Sequence, residues 1–181
     1  DREMAIATYG RGFYIVDIGP ISQFKPDVFQ QNAYLFDIKN TTRWNRYERR
    51  GDTLGEMAKA DNPRVGQNIY YYLKADAKTV TVTIKDLEGN QIAELSQSSA
   101  EALRPSIKKG LQTVFWPLNR VAAGAPAAGG RGGAGGGGGG GGGRGGGGMM
   151  VDAGVYKVTF TVDGKEVATK KMTVSPDPLF K

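Results

Sequence analysis

Apolar and polar residues alternate along most of this chain, and a period of two is typical of strands with one buried and one exposed face. The clearest run lies between positions 79 and 85, where Val80, Val82 and Ile84 fall on one side and threonines on the other. Seven short strands separated by turn residues, with almost no helical periodicity, predict an all-β antiparallel sandwich. The predicted strands cover 33–38, 68–74, 79–85, 91–95, 111–118, 155–162 and 165–174.

The last two predicted strands form a hairpin around Asp163-Gly164, a dipeptide suited to a two-residue turn in which both φ angles are positive. Lys170 interrupts the apolar alternation of the returning strand, which predicts a bulge or an edge position there. Pro117 lacks the backbone N–H that a central strand donates. We therefore expect the strand before it to end there or to lie at a sheet edge.

The inward positions of these strands predict the core of the sandwich. Three consecutive tyrosines, Tyr70, Tyr71 and Tyr72, must alternate faces in a strand, so that Tyr71 enters the core while the other two share the opposite face. The predicted core comprises Ile69, Tyr71, Val80, Val82, Ile84, Val114, Trp116, Tyr156, Val158 and Phe160.

The composition excludes several kinds of site. The 181 residues include no Cys and no His, which removes disulfides, thiolate nucleophiles, the commonest general base and the commonest metal ligand. The carboxylates near turns show no spacing typical of a catalytic pair, so we expect no catalytic residue, metal site or cofactor in this chain. The net charge of +6 is spread along the chain and does not predict a nucleic-acid partner. No apolar run reaches the length of a membrane span.

A glycine tract separates the predicted strands that contain Trp116 and Tyr156. Seventeen of the twenty residues from Gly129 to Gly148 are glycine, and glycine offers no side chain to bury. We expect 122–150 to form a flexible loop inserted into one domain, not a linker between two domains. Its two Arg-Gly-Gly triplets lack the interleaved aromatic residues of RNA-binding segments.

Two groups of aromatic and basic residues are candidates for ligand or interface contacts. Trp44, Arg46 and Tyr47 lie in a long polar connection, while Tyr70 and Tyr72 share one face of a predicted strand. Aromatic rings of this kind stack on sugars, and arginines pair with carboxylates or sulfates. The alternative interpretation is that the same rings pack the connection against a neighbouring domain.

The first part of the chain also alternates like a strand. It breaks at Gly10-Arg-Gly12, resumes as a second strand and ends at Gly19-Pro20, a pattern that predicts a hairpin. A hairpin at the start of a chain whose first residue is not Met suggests the tail of a larger protein. We expect the chemistry of that protein to lie mostly upstream of these residues.

Several short motifs follow one another in a characteristic order. They are Ala7-Thr-Tyr-Gly-Arg-Gly-Phe-Tyr-Ile-Val-Asp17, Pro20-Ile-Ser-Gln23, Ala33-Tyr-Leu-Phe36, Arg43-Trp44, Asp61-Asn-Pro-Arg-Val-Gly66, Tyr71-Tyr-Leu73, Ile84-Lys-Asp-Leu-Glu-Gly89, Gly110-Leu-Gln-Thr-Val-Phe-Trp-Pro-Leu118, Ala153-Gly-Val-Tyr-Lys-Val158 and Asp163-Gly164. In this order they resemble the C-terminal region of large bacterial β-propeller proteins with sortilin-like, BNR-type repeats, which are often labelled glycosyl hydrolases. Tyr9 stands where that family usually has His. The second half resembles an Ig-like module similar in style to that of flagellar hook-capping proteins.

The resemblance implies a periplasmic or extracellular bacterial protein with one or two propellers. It divides the chain into closing propeller strands (1–24), a connector (25–66) and an Ig-like or fibronectin-III-like antiparallel sandwich (67–175). The function it implies is that of a non-catalytic structural or interaction module, whose partner is the propeller of the same polypeptide, with a polysaccharide or another protein as a further partner. The alternative is a carbohydrate-binding accessory domain of a propeller-type glycoside hydrolase.

Overall fold

The computed structural model describes residues 3–10, 12–44, 64–121 and 150–179. In this part of the chain a hairpin and two short helices precede a β-sandwich. The hairpin consists of β1 (Glu3–Thr8) and β2 (Gly12–Asp17), and the helices are α1 (Gly19–Ser22) and α2 (Pro26–Gln30). The sandwich strands are β3 (Ala33–Leu35), β4 (Thr41–Arg43), β5 (Gln67–Leu73), β6 (Val80–Lys85), β7 (Gln91–Leu95), β8 (Gly110–Trp116), β9 (Gly154–Val162) and β10 (Lys165–Pro176).

The sandwich has a small sheet of order β3-β5-β8 and a large sheet of order β4-β10-β9-β6-β7. Neighbouring strands are antiparallel, except that β4 runs parallel to the end of β10. The hairpins β6–β7 and β9–β10 stay within the large sheet, while the other connections cross from one sheet to the other. This arrangement confirms the predicted all-β antiparallel sandwich.

The seven predicted strands are all present, with ends shifted by at most three residues. The turn at Asp163 and Gly164 has the expected positive φ angles of 50° and 78°. The register of β10 shifts between Glu166 and Ala168, so the strand contains a bulge, but Lys170, the residue that suggested a bulge or an edge, pairs regularly with Val158. The prediction missed β4, because three residues are too short to show an alternation and their pairing depends on the distant end of β10.

The core lies between the two sheets, and all ten residues predicted for it are buried there. Aromatic rings make the main contacts across it. The Tyr71 and Phe160 ring centroids are 5.0 Å apart, and those of Trp116 and Tyr156 are 5.8 Å apart in an edge-to-face arrangement. Edge-to-face pairs contribute about 0.5–1.5 kcal/mol beyond the area that they bury.

Two core rings also bond to the backbone near them. The Tyr156 hydroxyl donates to the carbonyl oxygen of Asp152 at 2.6 Å, and the Trp116 Nε1 donates to the carbonyl oxygen of Asn119 at 3.0 Å. Burial raises the pKa of Tyr156, so that the hydroxyl stays protonated and able to donate. A tyrosine near the start of a strand that bonds to the backbone just upstream is the tyrosine corner of Ig-like sandwiches.

The ends of the predicted flexible loop lie side by side. Asn119 bridges to Met150, and the Val151 N–H donates to the Leu118 carbonyl oxygen at 2.7 Å. The Arg43 guanidinium donates to the Val151 carbonyl oxygen at 3.1 Å. The predicted loop itself, except for Met150, falls outside the described residues. The described residues on either side of that segment, Asn119 and Met150, therefore meet within one sandwich.

Replacing Trp116 with alanine should lower the free energy of unfolding by about 3–5 kcal/mol, since the side chain is fully buried and its removal leaves a cavity. Urea denaturation measures this loss. Leu111→Ala, on the exposed side of the same strand, is the matched control and should change stability by less than about 0.5 kcal/mol. A neutral Trp116→Ala variant would contradict the packing of the two sheets around this ring.

Tyr156→Phe should cost about 1–2 kcal/mol, because it leaves the Asp152 carbonyl oxygen without its donor while keeping the ring contact with Trp116. Thermal and urea unfolding measure the loss. Tyr9→Phe removes a hydroxyl from a fully exposed side chain and should be neutral. Equal stability of the two variants would show that the corner bond does not stabilise the fold.

Candidate interaction surfaces

The hairpin β1–β2 has apolar side chains on both of its faces. Pairing places Ile6 opposite Tyr14 on one face and Ala7 opposite Phe13 on the other. Phe13 is 82% exposed on one face and Tyr14 is 55% exposed on the other, so the described chain leaves apolar side chains exposed on both faces. One face carries Met4, Ile6, Tyr14 and Val16, and the other carries Ala5, Ala7, Phe13 and Ile15.

The turn and the base of the hairpin are built from polar contacts. Gly10 and Gly12 have φ angles of 72° and 103°, which confirms that the glycines serve a tight turn; the arginine between them lies outside the described residues. At the base, the Lys39 ammonium lies 3.1 Å from the Glu3 carboxylate in an exposed ion pair. Such a pair contributes at most about 1 kcal/mol. The Asp17 carboxylate accepts the N–H of Gly19 at 2.8 Å and leads the chain into α1.

A cluster of five aromatic rings holds the segment after the hairpin against the outer face of the small sheet. The ring of Phe24 stacks on Phe29 with centroids 5.2 Å apart and meets Phe36 edge-on at 4.9 Å. The Tyr72 ring lies edge-on to Phe24 and Phe29, at 5.9 and 5.8 Å. Tyr34 completes the cluster through an edge contact with Phe36 at 5.1 Å. Tyr72 therefore packs the connector onto the sandwich.

Lys170 joins this cluster to the large sheet. Its ammonium bonds to the Asp37 carboxylate and lies 5.3 Å from the centroid of the Tyr34 ring. The side chain is 24% exposed, which is low for a lysine. The polar residue that interrupts the alternation of β10 thus lies at a partly covered position, where a carboxylate and an aromatic face stabilise its charge.

Tyr70 lies beside Tyr72 on the same face of β5 and lines a polar cleft of about 300 Å³ between the hairpin base and the small sheet. Burial raises the pKa of Tyr70, and the negative charge of the nearby Asp17 raises it further. The remaining polar groups that line the cleft come from Gln23, Asp37, Lys39, Gln67 and Asn68.

Trp44 is 48% exposed and lies at the end of β4, in a separate shallow depression of about 420 Å³. The Phe115 ring forms one wall, and the Arg64 guanidinium lies 5.9 Å from the centroid of that ring. Gly66 must lack a side chain, because a Cβ there would come within 2.2 Å of Phe115. Val65, Pro117, Asn119 and Met150 complete the lining.

The predicted contact residues therefore divide between two places. Tyr70 and Tyr72 share one strand face, whereas Trp44 lies in the other depression beside Phe115. Arg46 and Tyr47 lie outside the described residues. Phe24, Phe29 and Phe36 carry no local signal of these contacts in the sequence, because only the folded chain brings them into one cluster with Tyr72.

The described residues contain no group of three acidic side chains that could hold a metal ion. Their carboxylates near turns accept hydrogen bonds from turns. Asp163 accepts the N–H groups of Lys78 and Thr79, both at 2.8 Å. A backbone hydrogen bond from Lys109 lowers the pKa of Asp76. In the described part of the chain, no helix has the length and apolar character needed to cross a bilayer.

Comparison of the chain with protein-family models, with curated proteins and with solved structures gave no match. The interpretation of these surfaces accordingly depends on their own contacts. Those contacts distinguish a covered aromatic cluster, an uncovered apolar hairpin and two open depressions.

Phe24→Ala should loosen the connector and leave the sandwich folded, because each edge contact of the Phe24 ring contributes about 0.5–1.5 kcal/mol. We expect backbone amides in 24–31 to exchange with deuterium roughly tenfold faster, equivalent to about 1.4 kcal/mol. Amides of β6 and β9 should be unaffected. Phe13→Ala is the control, since that ring touches nothing in the cluster; equal exchange in both variants would contradict the role of Phe24.

Proposed function

We propose that this chain is a non-catalytic structural and interaction module of a secreted bacterial β-propeller protein, in which the hairpin β1–β2 completes a blade and the sandwich is held beside it. The observation that carries the proposal is the apolar, uncovered character of both hairpin faces. The order of motifs that resembles propeller proteins supports the same assignment and a location in the periplasm or outside the cell.

The apolar character of both hairpin faces indicates what kind of neighbouring structure would cover them. A sheet at the surface of a sandwich has one apolar and one polar face, whereas a propeller blade packs between two other blades. Met4 and Ile6 on one face and Phe13 and Ile15 on the other would each meet a neighbouring blade. An isolated two-stranded hairpin is only marginally stable in water, which also favours a larger sheet around it.

The aromatic cluster provides the attachment between the two parts. Phe24 and Phe29 follow the hairpin closely in sequence and pack on Tyr72 of the sandwich. The segment between hairpin and sandwich is therefore fixed along the small sheet and is not a free tether. A module attached in this way would orient the sandwich relative to the propeller.

A carbohydrate-binding role is the second candidate. The half-exposed Trp44 and the polar cleft at Tyr70 favour it, since an aromatic ring and amide groups suit a sugar. The contacts of Tyr72 do not favour it, because Phe24 and Phe29 meet this ring edge-on and leave no open platform with Tyr70. The structural role accounts for more of the exposed apolar surface.

The double variant Ile6→Asp and Ile15→Asp tests the proposal with one charge on each hairpin face. In this chain alone, the unfolding free energy of the sandwich should change by less than about 0.5 kcal/mol, because both side chains are exposed. In a longer polypeptide that carries the propeller, the same charges would be buried without partners and should prevent stable folding. Urea denaturation and limited proteolysis measure both results.

The matched control is Leu87→Asp with Val167→Asp, which places the same charges at exposed apolar positions of the sandwich. It should be tolerated in both polypeptides. A longer protein that folds normally with charges on both hairpin faces would overturn the proposal. In the same preparations, hydrolysis of aryl glycosides by this chain alone would contradict its non-catalytic role.

A further inference from the structure

Three lysines lie directly opposite one another on the outer face of the large sheet. In the register of the strands, Lys85 of β6 pairs with Lys157 of β9, and Lys157 pairs with Lys171 of β10. Side chains paired in this way have Cβ atoms about 4.5–5.5 Å apart, and like charges at such positions destabilise a sheet. We call these three residues the lysine row.

The described chain does not neutralise the lysine row. None of the ion pairs between described residues includes any of the three ammonium groups. Asp86 follows Lys85, but its carboxylate accepts hydrogen bonds from Asn90, at 2.8 and 2.9 Å. Repulsion between these lysines that no nearby carboxylate offsets lowers the stability of the sheet. Residues that lower stability in this way are expected at functional sites.

The next positions along the same face carry hydroxyl groups. Thr83, Thr159 and Thr169 form a second row beside the lysine row, and the hydroxyls of Thr159 and Thr169 are 2.8 Å apart. Two acidic side chains flank the threonine row, and each has a polar partner. Glu94 lies opposite Thr83 in the register of β6 and β7. Glu94 accepts from Gln91 at 3.1 Å, and Glu166 accepts from Thr169 at 2.8 Å.

We propose that the lysine row and the threonine row beside it bind an acidic polysaccharide. Ammonium groups spaced by one strand would pair with successive carboxylates or sulfates of the polymer, and the threonine hydroxyls would exchange hydrogen bonds with its hydroxyls. Binding would remove the repulsion between the lysines, so that ligand affinity and stability are coupled. This surface is separate from the hairpin, and the inference does not depend on the propeller assignment.

The chemistry of the face favours a polysaccharide over other anionic partners. Single-stranded nucleic acids bind where aromatic rings stack on bases, and the outward positions of β6, β9 and β10 in the described chain carry no aromatic residue. A membrane surface would be joined by large apolar side chains next to the basic residues. The outward positions near the lysine row are mainly threonines.

The test compares the wild type with the triple variant Lys85→Gln, Lys157→Gln and Lys171→Gln. Binding to immobilised polygalacturonate and dextran sulfate, which present carboxylates and sulfates respectively, is measured by biosensor at low and at physiological salt. We expect the triple variant to lose at least tenfold in affinity for one or both polymers. Neutral dextran should bind neither protein.

Thermal unfolding supplies an independent readout. Without polymer, the triple variant should melt a few degrees above the wild type, because the like-charge repulsion is gone. With polymer, the midpoint of the wild type should rise and that of the triple variant should not. A triple variant that melts lower without polymer would show that the lysines stabilise the sheet themselves, which would overturn the inference.

The control variant Lys25→Gln, Lys74→Gln and Lys165→Gln removes the same charge from exposed sites elsewhere. It should keep wild-type affinity for both polymers. If it loses as much as the lysine-row variant, the attraction is a net-charge effect and the inference fails. It also fails if double-stranded DNA, or vesicles of anionic phospholipid, bind to the lysine row as tightly as the two polymers do.

Discussion

The contact between Trp116 and Tyr156 joins the two sheets and fixes the chain around it. The rings meet edge-to-face in the core, and each donates a hydrogen bond to a backbone carbonyl, of Asn119 and Asp152 respectively. Those carbonyls lie on the two sides of the long insertion. One aromatic pair therefore closes the core and fixes the chain on both sides of the insertion. The stability of the sandwich consequently depends little on the length of the inserted segment.

The sandwich buries its apolar side chains, whereas the hairpin leaves its apolar side chains exposed. The sandwich covers its apolar positions internally, so that Val82, Phe160 and their neighbours have almost no exposed surface. The hairpin leaves Phe13 and Ile15 open to water on one face and Ile6 on the other. Because apolar burial is the main favourable contribution to folding, the sandwich can be stable by itself, while a two-stranded hairpin that buries so little is only marginally stable.

Much of the fold could be predicted because the relevant signal is local. Alternation located the strands, and it also established that Tyr71 faces the core while Tyr70 and Tyr72 face outward. The candidate site was less predictable. Trp44 and Tyr72 are both large aromatic residues, but their surroundings differ. Trp44 is half-exposed beside Phe115, whereas the Phe24 and Phe29 rings cover Tyr72. The two phenylalanines belong to a segment more than forty residues before Tyr72, and no local sequence pattern indicates that the two places come into contact.

The sequence by itself determined every sandwich strand except β4, the inward faces of those strands, the turn at Asp163 and the absence of His and Cys chemistry, because each follows from neighbouring residues or from composition. Only the tertiary structure decided which residues meet. It placed β4 beside β10, paired Lys170 with Asp37, and aligned Lys157 with lysines on two other strands. Register and packing join positions far apart in the chain, and their energies depend on the whole fold, so periodicity does not encode them.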